Sequence, residues 1–256
     1  MCAAIFGNME EIRLVKRKMS DLASESFNKN IWTYSKFLNI AEQSEVQSSK
    51  YSTDYYFFGG YENSERNIVV FGNADEMGYE PSYPVSYIEI SPVNMKFADN
   101  LTHRDFLGAL MSLGVNREMI GDILVTDKSA VVVCVDSIAQ YIVNELESIK
   151  HTTVRCRIAQ SIPHNVLPEF DDDELIVSSE RIDVIVSGVY NLSRNSSQAL
   201  INGEKVFCNG RLTLSTSFIP ENGQIISVRG YGRFVYNGIL RTTKKNKLVI
   251  SVKKYC

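Results

Sequence analysis

The chain has 256 residues, 44% of them hydrophobic, so it is long enough to bury the cores of two or three compact units. No apolar run approaches the roughly 18 residues that span a bilayer, and the order of charged and apolar residues near the N-terminus is wrong for a secretory signal. Five scattered cysteines without a Cys-x-x-Cys pair argue against a disulfide framework or zinc finger, and they predict reduced thiols in a cytoplasmic protein.

The net charge of −3 conceals an uneven distribution along the chain. From Glu180 onward there are 12 Lys and Arg residues against 4 Asp and Glu, whereas the preceding 179 residues carry 15 basic and 26 acidic side chains. This balance predicts that the last third meets a polyanion, with nucleic acid as the first candidate. A basic surface that is merely solvated is the alternative.

Residues 1–80 are predicted to form a helical N-terminal region with one short strand. A first helix covers Glu10–Phe27, and a second runs from about Ser35 to Gln47. The apolar positions of the first helix recur at helical spacing: Ile12, Val15, Met19 and Leu22. The segment Tyr56–Gly72 then indicates a turn with a glycine pair, followed by a strand over Asn67–Phe71.

Residues 81–160 predict a β-α-β-β-α-β unit, the ferredoxin-like arrangement that also builds RRM-like domains. The predicted strands cover 85–90, 123–125, 131–135 and 152–159, and the predicted helices cover 101–114 and 137–149. The segment 161–178 follows, with two prolines and the run Asp171–Asp173. It is interpreted as a solvated acidic linker, or as a segment that shields the basic domain after it, and not as a metal site.

Residues 179–256 begin with two short predicted helices. The apolar stripe of the first helix consists of Ile182, Ile185, Val186 and Val189, which leaves Arg181 and Asp183 off the stripe. Ser193 is placed to cap the second helix, with Arg194 in its first turn. The helix dipole disfavours an arginine there, so we expect Arg194 to face a phosphate. Three β-rich pieces complete the chain.

The motifs R-x-D, S-R, A-L-I-x-G, V-x-x-N-G and G-x-x-I-x-V-R-G follow one another here in order, and this pattern resembles the S4 RNA-binding domain, of αL type. With FFGGYENSER and LTHRDFLGALMSLGVNREMIGDI upstream, nearly the whole chain resembles the YlmH family of bacterial S4-domain RNA-binding proteins. The resemblance implies an α+β protein that binds RNA and is related to S4 proteins of the large ribosomal subunit in stalled-ribosome rescue. It also implies a link to cell-division gene neighbourhoods.

The S4 resemblance implies RNA contacts at Arg181, Ser193, Arg194, Lys205 and Arg211. Glu204 precedes Lys205, where many relatives have a shorter turn. The resemblance therefore does not fix the direction of the Lys205 side chain. Arg229 and Arg233 extend the basic surface, with Arg241 and the Lys244–Lys247 cluster beyond them. Three aromatic residues are interleaved with these charges and could stack on bases: Tyr231, Phe234 and Tyr236. For Phe234, packing beneath the strands is the alternative.

The stretch Thr102–Ile123 contains His-Arg-Asp, which invites comparison with the kinase catalytic loop. The comparison fails because Leu110 occupies the position of the metal-binding Asn, and the other kinase motifs are missing. A structural interpretation fits better: Thr102 and Asp105 form a capping box, Gly114 ends the helix and Gly121 lets the chain turn into the next strand. The basic residues left exposed are predicted RNA contacts: His103, Arg104 and Arg117.

The sequence therefore predicts a monomeric, non-catalytic RNA-binding protein without cofactor, metal site or catalytic residue. Its expected partners are structured RNA, namely ribosomal RNA of the large ribosomal subunit with transfer RNA nearby, and a division protein, in ribosome-associated quality control or rescue. Membrane insertion is not expected. Two alternatives remain open: an RNA-modifying enzyme of pseudouridine synthase or methyltransferase type, and a protein adaptor in cell division.

Overall fold

The computed structural model describes residues 2–255, with the backbone alone for residues 2–11. It is a mixed α+β structure that divides into two compact units, Met1–Leu167 and Pro168–Cys256. The helices are α1 (Cys2–Lys29), α2 (Ile40–Gln47), α3 (Ala74–Met77), α4 (His103–Ser112), α5 (Asp136–Glu145), α6 (Ile182–Val189) and α7 (Arg194–Asn202).

The strands of the first unit are β1 (Thr33–Tyr34), β2 (Tyr55–Phe58), β3 (Ile68–Phe71), β4 (Val85–Pro92), β5 (Ile120–Thr126), β6 (Ser129–Val135), β7 (Ser148–Ile149) and β8 (Thr152–Ala159). The strands of the second unit are β9 (Phe170–Val177), β10 (Val206–Cys208), β11 (Arg211–Leu212), β12 (Gln224–Val228), β13 (Gly232–Thr242) and β14 (Leu248–Tyr255). Short 3-10 turns cover Met95–Phe97, Arg117–Met119 and His164–Val166.

The N-terminal part packs α1 and α2 against a sheet of order β1-β3-β2. The predicted first helix is confirmed within the longer α1, but the second begins at Ile40 rather than Ser35. It starts late because the chain before it is extended and pairs with β3, with Leu38 bridged to Asn67. Asn39 then caps α2. The strand β2 was missed, since the glycine pair after it was interpreted as part of one long turn.

The middle part of the first unit has the predicted β-α-β-β-α-β order, in an antiparallel sheet of order β5-β6-β4-β8-β7. Strand alternation gives the sheet two buried faces. Val132 packs with the apolar sides of α4 and α5, whereas Val133 packs with Trp32 and Phe37 from the N-terminal part. The helix predicted to end at 149 stops at Glu145, because residues 148–149 form β7 instead.

The two glycines singled out in the sequence have different roles. Gly114 follows α4 with φ +78°, so it ends the helix as predicted. Gly121 does not form a turn but lies within β5, where a Cβ atom would stand 2.8 Å from Cε1 of Phe37. Its prediction was wrong: glycine is needed there because an aromatic ring packs directly on the backbone.

The second unit is a six-stranded antiparallel sheet of order β11-β10-β12-β13-β14-β9, with α6 and α7 packed on one face. The predicted stripe of α6 is confirmed, since its four members are at most 4% exposed: Ile182, Ile185, Val186 and Val189. Their burial against Ile226 and Phe234 anchors α6 to the sheet.

The linker interpretation of residues 161–178 is wrong for Phe170–Val177. This segment is the edge strand β9, which pairs with β14 over its whole length. Asp173 accepts a hydrogen bond from Lys254 at 2.7 Å, and Asp172 stands directly opposite Lys253. With β9 included, residues 168–256 carry 12 basic and 9 acidic side chains, so the folded unit is far less basic than the last third of the sequence alone.

No helix in the described part of the chain has the length and apolar character needed to cross a bilayer.

Candidate nucleic-acid interface

The starts of α6 and α7 meet around one carboxylate, that of Asp183. Arg181 donates to it twice, from Nε and Nη2, each at 3.0 Å, and Arg194 donates from Nε at 3.3 Å. Gln198 adds a bond from Nε2 at 2.8 Å. Asp183 is 0% exposed, so the prediction that it lies outside the buried surface is wrong. It can be buried because four N–H donors on three side chains satisfy its oxygens, and the two arginines compensate its charge.

The backbone of Asp183 is also tied to α7. The hydroxyl of Ser197 donates to the carbonyl of Asp183 at 2.7 Å and ties α7 to α6. Burial alone would raise the pKa of Asp183, but the hydrogen bonds from Arg181, Gln198 and Arg194 outweigh it and lower the pKa. The aspartate is therefore charged, and it holds two arginines in fixed positions.

The two arginines remain accessible at their outer edges. The side chain of Arg181 is 35% exposed and that of Arg194 is 57% exposed. Asp183 supplies a counter-charge for Arg194 in the first turn of α7. From the sequence, this role was expected of a phosphate. Two cations share one anion, so the cluster keeps an excess positive charge at the surface.

Ser193 caps α7 as predicted. Its Oγ accepts a hydrogen bond from the backbone N–H of Ser196 at 3.1 Å and lies 2.7 Å from the Ser196 hydroxyl. The residue thus positions Arg194 by fixing where α7 begins.

The remaining predicted contacts of the second unit are all exposed: Lys205, Arg211, Arg229 and Arg233. Lys205 and Arg229 lie next to each other, because the N–H of Arg229 donates to the Lys205 carbonyl at 2.9 Å. Lys205 follows Glu204, which ends a turn at φ +58°. The structure thus brings Arg181, Ser193 and Arg194 together at the helix starts.

Of the three aromatic residues expected to stack on bases, two are core residues. Phe234 and Tyr236 are at most 1% exposed, so the packing alternative holds for Phe234 and the stacking interpretation of Tyr236 is wrong. Tyr236 also donates its hydroxyl to Glu180. Tyr231 alone of the three is exposed, at 47%, and its ring lies 5.4 Å from that of Tyr190.

The His-Arg-Asp stretch in the first unit is built around a helix cap. The N–H and the hydroxyl of Thr102 each donate to Asp105 at 2.8 Å, and Lys150 contacts the same carboxylate at 2.8 Å. The bond from Lys150, followed by those from Thr102, lowers the pKa of Asp105 to about 2. Both neighbours, His103 and Arg104, are exposed as predicted.

Arg117 was predicted to be exposed, and this is wrong. Its Nη1 donates to the carbonyls of Ile120 at 2.6 Å and Gly121 at 3.2 Å, and burial together with nearby Arg66 lowers its pKa to about 10. Arg66 likewise donates to the carbonyls of Phe37, Arg117 and Ile120. Both guanidinium groups hold the irregular backbone around β5, which no local sequence pattern reveals.

A cavity of about 550 Å³ opens beside these two arginines, between α1 and the segment before α2. Apolar walls from Met19, Leu22 and Leu38 face the paired charges Lys36 and Glu118. Within residues 2–255, no group of three or more His, Cys, Asp or Glu side chains has a geometry that could hold a metal ion.

The chain is similar to a family model, to a known protein and to solved structures. The family model described as "Putative RNA-binding domain in YlmH" matches residues 80–161. The Ribosome-associated protein quality control protein P2 of Bacillus subtilis (strain 168) is 28% identical over 200 residues, which cover 75% of this chain and 74% of that protein. A solved structure, the cell division protein ylmH from Streptococcus pneumoniae, aligns with a TM-score of 0.49 at 17% identity, over 58% of this chain and 91% of that chain.

The matched domain coincides with the β-α-β-β-α-β part of the first unit, and the match to the Bacillus protein extends well beyond it. Over residues 80–161 the chain is similar to the RNA-binding domain described for YlmH.

Proposed function

We propose that this protein is a non-catalytic RNA-binding protein that binds ribosomal RNA of the large subunit, with transfer RNA nearby, and acts in ribosome-associated quality control. In this proposal residues 179–256 form an S4-type domain whose helix starts contact RNA. Through its family the protein is also linked to cell division. It acts as a monomer, in the cytoplasm, without a cofactor.

The observation that carries the proposal is the cluster of Arg181, Asp183 and Arg194. Guanidinium groups recognise phosphates through paired N–H donors, and each has five. Arg181 uses two of its donors on Asp183, and Arg194 uses one. Because the carboxylate fixes both side chains before RNA arrives, binding costs less side-chain entropy than it would with mobile arginines.

Support for the ribosome as partner comes from the relatives. The Bacillus subtilis relative is named as a ribosome-associated quality control protein, and the family model over residues 80–161 describes an RNA-binding domain. Within that domain we propose His103 and Arg104 as contacts, since both are exposed at the start of α4, where the helix dipole also favours an anion. Arg117 is left out of the proposed contacts because its guanidinium holds backbone carbonyls.

The test is co-sedimentation with purified large ribosomal subunits across a salt series. Removing one phosphate contact with Arg194→Gln should weaken binding and reduce the log–log salt slope by about 0.7 to 0.9. Arg13→Gln, an exposed arginine on α1, is the matched control and should leave both unchanged. Equal affinity and slope for wild type and Arg194→Gln would remove the helix starts from the interface.

A second variant separates RNA contact from structural support. Asp183→Asn removes the buried negative charge but keeps both arginines, so the folded protein should bind large subunits at least as tightly as wild type. Weaker binding per folded molecule would instead show that the added positive charge does not favour binding, and it would assign the arginines a purely structural role. Urea denaturation of each variant supplies the folded fraction needed for this comparison.

A further inference from the structure

The six-stranded sheet of the second unit has a face directed away from α6 and α7. Side chains that pack with the helices alternate along each strand with side chains that point the other way. Val206, Cys208, Ile226, Val228 and Phe234 belong to the core. Their neighbours Phe207, Ser227 and Arg233 therefore project from the opposite face, which we call the outer face.

The outer face carries a row of side chains that crosses four strands. Phe207 on β10 pairs with Ser227 on β12, which pairs with Arg233 on β13. The guanidinium of Arg233 lies 5.7 Å from the ring centroid of Tyr255 on β14. At about 4.8 Å per strand, the row from Phe207 to Tyr255 is about 14 Å long. Aromatic rings thus stand at both ends, with an arginine between them.

Each aromatic ring of the row is associated with a cation and held in place. Arg229 continues β12 beyond the row, and its guanidinium lies 4.7 Å from the ring centroid of Phe207. The ring of Tyr255 is supported from the far side by Phe170, at 4.9 Å and an interplanar angle of 62°. Two arginine–aromatic pairs therefore lie on one face of one sheet.

The charge of this region is positive. Lys205 lies beside Arg229, and Lys205, Arg229 and Arg233 are all exposed. The acidic residues of β9 lie toward the opposite edge, where Asp173 pairs with Lys254 and Glu174 pairs with Arg241. Glu204, in the turn before Lys205, is the acidic residue nearest to this group along the chain. A polyanion that crosses the row thus meets three cations before it reaches the acidic edge.

We propose that the outer-face row binds a short single-stranded segment of RNA. Unpaired bases stack on Phe207 and Tyr255 or on the guanidinium planes above them, while phosphates contact Arg229, Arg233 and Lys205. A duplex hides its base faces and cannot stack in this way. The inference rests on the proposed function in taking this unit as RNA-binding, and it adds a second surface, on the other side of the sheet from Arg181 and Arg194.

The experiment measures binding of a fluorescein-labelled eight-nucleotide oligouridine to the full chain by anisotropy, with a duplex RNA of the same length alongside. Tyr255→Leu removes the ring and should weaken oligouridine binding about ten-fold. Arg229→Gln/Arg233→Gln should weaken it at least as much and flatten the log–log salt slope by about 1.4. Arg13→Gln, at an exposed arginine of α1 in the first unit, is the matched control and should leave oligouridine binding unchanged.

Two further measurements keep the test decisive. Phe207→Leu repeats the ring deletion at the other end of the row, in case Tyr255→Leu disturbs β14. Ultraviolet cross-linking of oligouridine, read by mass spectrometry, should place adducts on the peptides that carry Phe207 and Tyr255. The inference is overturned if these variants bind like wild type, or if the adducts map to the starts of α6 and α7.

The outcomes also separate this inference from the proposed function. Loss of oligouridine binding in the outer-face variants, with Arg194→Gln still impaired on large subunits, supports two distinct surfaces. No oligouridine binding by wild type, together with intact binding to large subunits, overturns the inference alone. Absence of both activities overturns the inference and the proposed function together.

Discussion

The starts of α4 and α6 carry the same two residue types, an arginine and an aspartate, and use them in opposite ways. At α4, Asp105 accepts hydrogen bonds from Thr102 and pairs with Lys150, while the adjacent Arg104 points to solvent. At α6, Asp183 is fully buried and binds its own neighbour Arg181 together with Arg194 from α7. The first aspartate shapes one helix end, and the second joins two helices.

The difference follows from burial. The side chain of Asp105 is 15% exposed, so water shares in solvating its carboxylate and each partner contributes less to folding. A buried carboxylate depends on its partners, because an uncompensated charge in the interior is costly. The arginines of α6 and α7 are therefore both structural elements and candidate RNA contacts, whereas His103 and Arg104 can be changed with little effect on the fold.

The largest expected effect comes from stripping Asp183 of its cations. Arg181→Gln/Arg194→Gln leaves the buried carboxylate with Gln198 as its remaining side-chain donor and should lower the free energy of unfolding by about 3 kcal/mol. Arg104→Gln, the counterpart at α4, should change it by less than about 0.5 kcal/mol. Urea denaturation measures both, and equal effects at the two helix starts would remove the distinction between them.

A second pair of variants tests whether the first unit depends on packing rather than on charge. Gly121→Ala places a methyl group against the ring of Phe37 and should cost about 2 kcal/mol. Gly108→Ala, on the exposed side of α4 with no atom within 4 Å of its Cβ, should raise the free energy of unfolding by about 0.5 to 1 kcal/mol. Thermal or urea unfolding should therefore show changes of opposite sign in the free energy of unfolding for the two variants. A stabilising Gly121→Ala would contradict the contact with Phe37.

A third change distinguishes capping from RNA contact at α7. Ser193→Ala removes the acceptor for the Ser196 N–H and should cost about 1 kcal/mol. Ser193→Asp keeps a good cap but adds a negative charge beside Arg194, so the fold should persist while affinity for large ribosomal subunits falls several-fold. Unchanged affinity for Ser193→Asp in co-sedimentation would argue that no phosphate lies at this helix start.

The smallest effect is a pH dependence at α4. Because the pKa of Asp105 is lowered to about 2 from an unfolded value near 3.9, its charged form stabilises the native state above about pH 4. This contribution is lost as the pH falls from about 4 toward 2. Asp105→Asn should therefore be less stable than wild type at pH 6, with the difference shrinking as the solution is acidified. A difference that is constant with pH would exclude this role for the carboxylate.

The features that were predicted correctly from the sequence depend on short-range periodicity. The stripe of α6, the Ser193 cap and the end of α4 at Gly114 each follow from residues within one or two helical turns, and each is present. The burial of Asp183 could not be predicted in this way. Its partners on α7 are 11 and 15 residues away and reach it through packing of the two helices.

The features that the sequence did not predict depend on contacts between residues far apart in the chain. Arg117 lies beside Arg66, 51 residues earlier, and both donate to carbonyls that only the folded β5 segment brings together. Strand β9 contains the run Asp171–Asp173, which looks like a solvated linker because its pairing partners Lys253 and Lys254 follow some 80 residues later. The outer-face row likewise becomes visible only once the register of four strands is known.

The pairing of β9 with β14 has a consequence for synthesis on the ribosome. The strand that opens the second unit, Phe170–Val177, pairs with Leu248–Tyr255, so its neighbour in the sheet is synthesised after the other described strands of this unit. Until then its edge is unpaired, and its row of carboxylates discourages association with other chains during that interval. The second unit can complete its sheet only after Leu248–Tyr255 has left the exit tunnel, so the proposed outer-face row forms late in the synthesis of this unit.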